Sequence, residues 1–471
     1  MSSFAARTSS PLDGGLKTHH RLPSDLIPLT MHVGVSKLHR VYLGAIFTFM
    51  VLFFVFRKVK ENNEVHVNTF APEIDAPFHV GCQEPDVDAP RENAVVVILA
   101  RNSDIEGVSV SISSLERHFN RWFRYPYVLL NDEPFTQEFK DKVSAFTNSE
   151  IKFGQVAPED WNFPATVEQA DFQKALDYQG DAAIPYGRLK SYHQMCRYFS
   201  GKFFNHELLK PYDWYWRVEP DIQFFCDLTY DPFREMARSG KLYGFNAFIA
   251  EIETTVPSLF RHTTAFKRSR GLADTDLWPA ITSCITDRQR YDETKDGKQW
   301  PPAGNDYMNG CKYNMCHFWS NFEIASFDLW RQPLYQDYFN YLENAGGFWH
   351  ERWGDAPVHT LGVALLLNAS QVHYFQDVGY LHTSIGHCPN NAPGKQIPLS
   401  KYGKYSTYDS YWAKSDKPKK YGTGCRCRCP PLRETETHWC FDKLLPAYGN
   451  PTEHQIREKE LDIEYREKLI S

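Results

Sequence analysis

The run VYLGAIFTFMVLFFVF, residues 41–56, carries no charge over 16 positions. As a helix it spans about 24 Å, against a bilayer hydrocarbon core of about 30 Å. His39 and Arg40 before it, and Arg57 and Lys58 after it, can reach the two interfaces. Such a short span suits the thinner membranes of the early secretory pathway. No small-residue cleavage site accompanies the run, so it is predicted to be an uncleaved membrane anchor and not a signal peptide. A buried core helix is the alternative, but a polar linker isolates the run from everything that follows. The chain then divides into a cytosolic tail (1–40), the anchor (41–56), a polar, proline-containing stem (57–90), one large domain (91–445) and a charged tail (446–471).

Orientation does not follow from the basic residues, because Arg21, Lys37 and Arg40 balance Arg57, Lys58 and Lys60. The cysteines and the sequon Asn368-Ala369-Ser370 put the large domain in the lumen. Cys425, Cys427 and Cys429 alternate, with Cys440 close behind. Zinc is one reading, yet alternating cysteines fit tetrahedral geometry poorly, and disulfides are the better one. Eleven cysteines leave at least one thiol over or pairing between chains. With 52 Lys and Arg against 58 Asp and Glu, and no long basic run, a nucleic-acid partner has little support.

In the large domain, NAVVVILAR (93–101) reads as a buried strand, 106–119 as a helix, and YPYVLLND (125–132) and IKFGQV (151–156) as further strands. That order predicts an α/β domain with a mostly parallel sheet, which binds ligands at the carboxyl ends of its strands. Arg101 and Asn131-Asp132 stand at such ends. A helix over 186–204 presents a polar face with Arg188, Tyr192 and Arg197. WYWRV (214–218) is the next strand, and Pro220 stops its pairing between Glu219 and Asp221.

Acidic motifs at strand ends can hold a divalent metal that bridges two phosphates, and manganese accepts carboxylate and imidazole together. A solvated turn is the other reading of Glu-Pro-Asp. Glu323, set among Trp, Phe and Ile, needs a partner in such surroundings. It is either a catalytic carboxylate or a structural one paired with an arginine. Asp355 stands at a helix start, as an N-cap or as a site residue. His373, His382 and His387 are possible metal ligands.

The blocks SYHQMCRY, WYWRVEPDIQFFCD, CHFWSNFEI, ERWGDAPVH and VHYFQDVGYLH occur in one order. Together the set resembles the fungal Golgi α-1,2-mannosyltransferase family, type II membrane enzymes that extend O- and N-linked mannan. RENAVVVILARNSD and HFNRWFRYPYVLLNDEPF resemble that family's amino-terminal block, and the resemblance spans roughly residues 90–390. It implies a GT-A type glycosyltransferase fold, Rossmann-like in its nucleotide-binding half. It also implies GDP-mannose as donor, a mannosylated glycoprotein as acceptor, manganese as cofactor and retention of configuration. By the same resemblance Glu219 and His382 bind the metal, and Arg101, Tyr192 and Arg217 line the nucleotide cleft. Glu323 lies on the sugar's β-face as nucleophile or stabiliser, and Asp355 lies near the acceptor. Asp221 has a capping or supporting role as readily as a ligating one. Residues 260–312, and Thr-Ser-Ile after GYLH, depart from the family pattern and leave acceptor choice open. Mannosylphosphate transfer is the rival within the family. A mannan-binding protein without activity and a two-carboxylate glycoside hydrolase are the rivals outside it.

Overall fold

The apolar run AVVVIL forms a strand, Ala94–Leu99, buried on both faces as an interior strand of a sheet must be. In the computed structural model of the chain the described residues are 50, 74–164, 169–285, 308, 310–383, 385–394, 396, 414–430 and 439–449. The predicted tail 1–40, the anchor 41–56 apart from Met50, the stem before residue 74 and the tail beyond 449 lie outside them. Among the described residues no helix is long and apolar enough to cross a membrane.

The strands are β1 (Ala94–Leu99), β2 (Tyr127–Asn131), β3 (Ile151–Gln155), β4 (Trp214–Val218), β5 (Ile222–Phe224), β6 (Tyr243–Phe245) and β7 (Phe248–Ala250). After these come β8 (Thr282–Cys284), β9 (Cys311–Tyr313), β10 (Cys316–Phe318), β11 (Phe322–Ser326), β12 (Val372–Tyr374), β13 (Tyr380–His382) and β14 (Ile385–His387). The longer helices are α1 (Ile105–Leu115), α2 (Gln137–Ser144), α3 (Gln169–Asp181), α4 (Lys190–Gly201), α5 (Pro232–Arg238), α6 (Leu259–Ser269), α7 (Pro333–Ala345) and α8 (Asp355–Leu366).

Seven strands form the main sheet in the order β12-β6-β11-β4-β1-β2-β3. β1 pairs in parallel with β2 and β4, while β11 runs antiparallel between β4 and β6. The sheet is therefore mixed, and its reversed strand β11 carries Glu323. Side chains alternate between two cores. Val95, Val97 and Tyr215 face one core, shared with α4, α7 and α8, and Val96, Ile98 and Trp216 face the other, shared with α1.

The helix predicted over 186–204 begins later, at Lys190, because Tyr186 takes a left-handed backbone conformation with φ +60°. Residues 74–90, which composition places in the stem, are held against the domain: Ile74 is buried in the core, and Asp75 accepts a hydrogen bond from His373 Nδ1 at 2.6 Å. Five disulfides join Cys82–Cys425, Cys226–Cys427, Cys284–Cys311, Cys316–Cys440 and Cys388–Cys429, leaving Cys196 as a buried thiol. The alternating cysteines thus staple three separate segments to one short stretch.

Candidate active site

β4 ends where Pro220 interrupts pairing, and the chain re-enters as β5 after a tight turn. Ser111 Oγ of α1 pins that turn, donating to the Glu219 carbonyl at 2.8 Å and accepting from the Ile222 amide at 3.1 Å. Asp221 sits in the turn with φ +62°, a conformation its short polar side chain tolerates. Its carboxylate lies over Gly107 in the first turn of α1, so close that a Cβ on residue 107 would meet it at 2.7 Å. Asp221 therefore faces a helix amino terminus, where its charge is favourable.

Arg217, one residue short of the end of β4, is buried and joins two carboxylates. Its Nε donates to Glu219 Oε1 at 2.6 Å, and its Nη1 donates to Asp355 Oδ2. Phe199 supports the guanidinium from below, with Cζ 3.6 Å from the ring centroid. Asp355 is the first residue of α8, but Gly354 occupies the cap position. The Asp355 carboxylate instead takes Arg217 and Ser320 Oγ, the latter at 2.7 Å. Burial alone would raise its pKa, yet the Arg217 charge, His359 and these hydrogen bonds hold it down at about 2. Burial works against the charge on Arg217 too, but Asp355, Glu219 and Glu323 keep it firmly protonated.

Glu323 stands opposite Arg217 in the β11–β4 register and is fully buried. Tyr215 donates its hydroxyl to Oε1, and Tyr243 donates to Oε2 at 2.9 Å. His359 Nδ1 lies 2.9 Å from Oε2, while its Nε2 lies 2.9 Å from the Phe199 carbonyl. Both ring nitrogens face oxygen atoms, so the imidazole is held at both ends. Burial pushes the Glu323 carboxyl up, but His359, Arg217 and Tyr215 outweigh it and leave its pKa below the usual value. The partner anticipated for a structural Glu323 was an arginine; the direct partners are two tyrosines and a histidine.

β13 pairs with β5 so that His382 stands beside Ile222, three residues from Glu219. Asn321 Nδ2 lies 3.0 Å from His382 Nδ1. Burial lowers the His382 pKa, partly offset by the charge of Glu219, which favours the neutral ring a metal needs. A metal on Nε2 requires Nδ1 to carry the proton, and Asn321 can accept it by presenting its amide oxygen. No group of three or more Asp, Glu, His or Cys side chains is arranged for a metal among the described residues. Glu219 and His382 together offer one oxygen and one nitrogen, a set that fits manganese only if phosphate or water supplies the remaining positions. His373 and His387 are engaged elsewhere, with Asp75 and with the Gln376 carbonyl.

Arg101 follows β1 at the same sheet edge, but its side chain is largely exposed and pairs with Asp104, Nε to Oδ2 at 3.2 Å. Tyr192, near the start of α4, lies beside Arg352, whose Nη1 is 3.4 Å from its hydroxyl. The structure thus joins Arg217, Glu219 and Asp355 by hydrogen bonds, sets Glu323 beside Arg217 in the sheet register and His382 beside Ile222, and leaves Arg101 outside that group. Sequence reasoning passed over His359, Ser320, Tyr215 and Tyr243. His359 had a signal: it follows Asp355 by four residues on an otherwise apolar helix, so both share a face.

The family described as glycolipid 2-alpha-mannosyltransferase matches residues 56–396. A Schizosaccharomyces pombe protein named O-glycoside alpha-1,2-mannosyltransferase homolog 5 is 49% identical over 388 residues, covering 80% of this chain and 84% of its own. The probable mannosyltransferase KTR7 of Saccharomyces cerevisiae is 39% identical over 454 residues, covering 84% and 85%. Core-mannan synthase A of Aspergillus fumigatus, solved in a manganese/GDP form, superposes with a TM-score of 0.59 at 37% identity, over 68% of this chain and 85% of that one. The mannosyltransferase Ktr4p of S. cerevisiae in complex with GDP gives 0.60 at 28% identity, over 84% and 99%. The mixed sheet with flanking helices is the fold of these glycosyltransferases.

Proposed function

The chain belongs to the glycolipid 2-alpha-mannosyltransferase family, and from that premise we propose that it transfers mannose from GDP-mannose to a hydroxyl of a mannose acceptor, forming an α-1,2 linkage. The observation that carries this reading to the residues is Arg217 held between Glu219 and Asp355 at the sheet edge. Manganese is the cofactor, with Glu219 and His382 as its protein ligands, and when bound it neutralises charge on the departing diphosphate.

In this reading the bond between the mannosyl C1 and the β-phosphate oxygen breaks, and a bond from C1 to the acceptor oxygen forms. The acceptor proton leaves with GDP. Asp355, kept ionised by Arg217, orients the acceptor hydroxyl. Both oxygens of Glu323 are already engaged by Tyr215, Tyr243 and His359. That favours a fixed buried anion which stabilises positive charge at C1 over a nucleophile that attacks it. Transfer on one face of the sugar, with retention, follows from such an arrangement.

The GT-A type fold, a single anchor at 41–56 and a catalytic domain in the Golgi lumen complete the proposal. Five disulfides and the exposed Asn368 of the sequon support a lumenal domain. Glycoproteins bearing O- or N-linked mannose are the proposed acceptors. The test is a donor screen with the full chain in detergent: GDP release should require GDP-mannose, a mannoside acceptor and manganese, and should stop with EDTA. Equal turnover of UDP-sugars, or turnover untouched by EDTA, would contradict it.

A further inference from the structure

One short turn reaches both halves of the site. Residues 319–321 join β10 to β11, the strand that carries Glu323. Ser320 is buried and donates its hydroxyl to Asp355 Oδ2 at 2.7 Å. The next residue, Asn321, meets His382 Nδ1 at 3.0 Å. The turn is also tied to the elements that bear both partners. Toward α8, the Phe318 amide donates to Thr360 Oγ1 at 2.9 Å. Toward β13, the Tyr380 hydroxyl donates to the Asn321 carbonyl at 2.9 Å, and the Trp319 ring lies 5.7 Å from that of His382. The same contacts divide the carboxylate oxygens. Arg217 and Ser320 both donate to Asp355 Oδ2, and Arg217 Nε donates to Glu219 Oε1. Among the described residues no hydrogen bond reaches Asp355 Oδ1 or Glu219 Oε2, and neither oxygen is sealed from solvent. Each carboxylate therefore keeps one oxygen open.

We propose that this turn positions the two halves of the site separately: Ser320 sets Asp355 for the acceptor hydroxyl, and Asn321 sets His382 for the metal. Held through Oδ2, Asp355 has Oδ1 left to take the hydroxyl. Without Ser320, the carboxylate is free to turn both oxygens toward the guanidinium fork of Arg217, the geometry such pairs favour, and Oδ1 is withdrawn. Asn321 acts in the same way on the ring of His382, because an imidazole held at Nδ1 keeps Nε2 in one direction. Ser320 and Asn321 are positioning residues, each acting through the side chain it holds. The inference deepens the transferase reading and rests on it for the identity of the acceptor and the metal.

The experiment compares the full chain with Ser320→Ala, Asn321→Ala, Asp355→Asn and the double replacement of Ser320 and Asp355. One readout is transfer to methyl α-mannoside at saturating manganese. The other needs no turnover: electron paramagnetic resonance of free Mn2+ titrated with protein and GDP. Ser320→Ala should lower kcat/KM for methyl α-mannoside about tenfold and leave manganese affinity within about twofold. Asn321→Ala should weaken manganese binding about tenfold and leave the KM for methyl α-mannoside within about twofold. In the Asp355→Asn background, Ser320→Ala should add no further loss. Equal losses on both readouts, no loss on either, or a further loss in the Asp355→Asn background would each overturn the proposal. A variant unfolded by circular dichroism would show the turn to be structural and overturn it too. A chain whose manganese binding depends on Asn321 but which transfers no mannose would contradict the transferase reading. That result would remove the Ser320 assignment and leave the Asn321 assignment standing.

Discussion

His359 Nδ1 lies 2.9 Å from Glu323 Oε2, and both side chains are wholly buried. Two tyrosine hydroxyls complete the carboxylate, and Trp330 stacks on the imidazole at 4.2 Å. Glu323→Gln removes the negative charge and leaves His359 facing a neutral amide. Breaking a buried pair in this way costs about 3 kcal/mol or more. A fall in the urea midpoint and loss of most turnover are expected, with GDP affinity within about twofold. A Glu323→Gln protein with unchanged midpoint and rate would refute both roles.

Acid should weaken the same cluster. The Asp355 carboxyl is depressed to about 2 in the folded protein from its ordinary value of 3.8. A depressed carboxyl contributes its stability above the unfolded value and loses it as pH falls through the folded one. The contribution is about 2 kcal/mol at neutral pH, and it disappears between about pH 4 and pH 2. Asp355→Asn should flatten the stability profile across that window, as read by urea unfolding at each pH. An unchanged slope would show that Arg217 does not hold Asp355 as described.

Arg217→Lys tests the bridge. An ammonium is compact and lacks the planar fork that reaches Glu219 and Asp355 together. A folded protein with kcat/KM down about a hundredfold is the expected result. Near-normal turnover would mean that charge alone suffices at this position.

Asp377 behaves in the opposite sense. Its carboxyl is pushed up to about 7 by burial, with the Tyr230 hydroxyl at 2.8 Å as only partial compensation. A raised folded pKa means that stability is full below the unfolded value and falls as pH rises toward 7, by about 1.4 kcal/mol per pH unit. The stability of Asp377→Asn relative to the unaltered chain should therefore rise from pH 5 to pH 8. A difference that stays constant with pH would show that Asp377 does not titrate in this range.

Much of this site was legible before the fold. WYWRV became β4, bounded where Pro220 forbids further pairing, and Glu219 stands at its end. Strand patterning is local, so residues in sequence are enough to read it. The setting of Glu323 was not legible, because Tyr215, Tyr243 and His359 come from three elements that only the folded sheet and α8 bring together. Disulfide partners were hidden for the same reason: Cys82 and Cys425 are 343 residues apart. The start of α4 was misplaced because Tyr186 fits the helical spacing, while its left-handed backbone depends on close packing over Gln179.

The most direct test of the account is NMR of the product made from GDP-mannose and methyl α-mannoside with manganese. An α-1,2-linked mannobioside, formed in step with GDP and absent when Glu219→Ala replaces the native chain, is the predicted result. A phosphodiester-linked product, or an unchanged yield from Glu219→Ala, would contradict it.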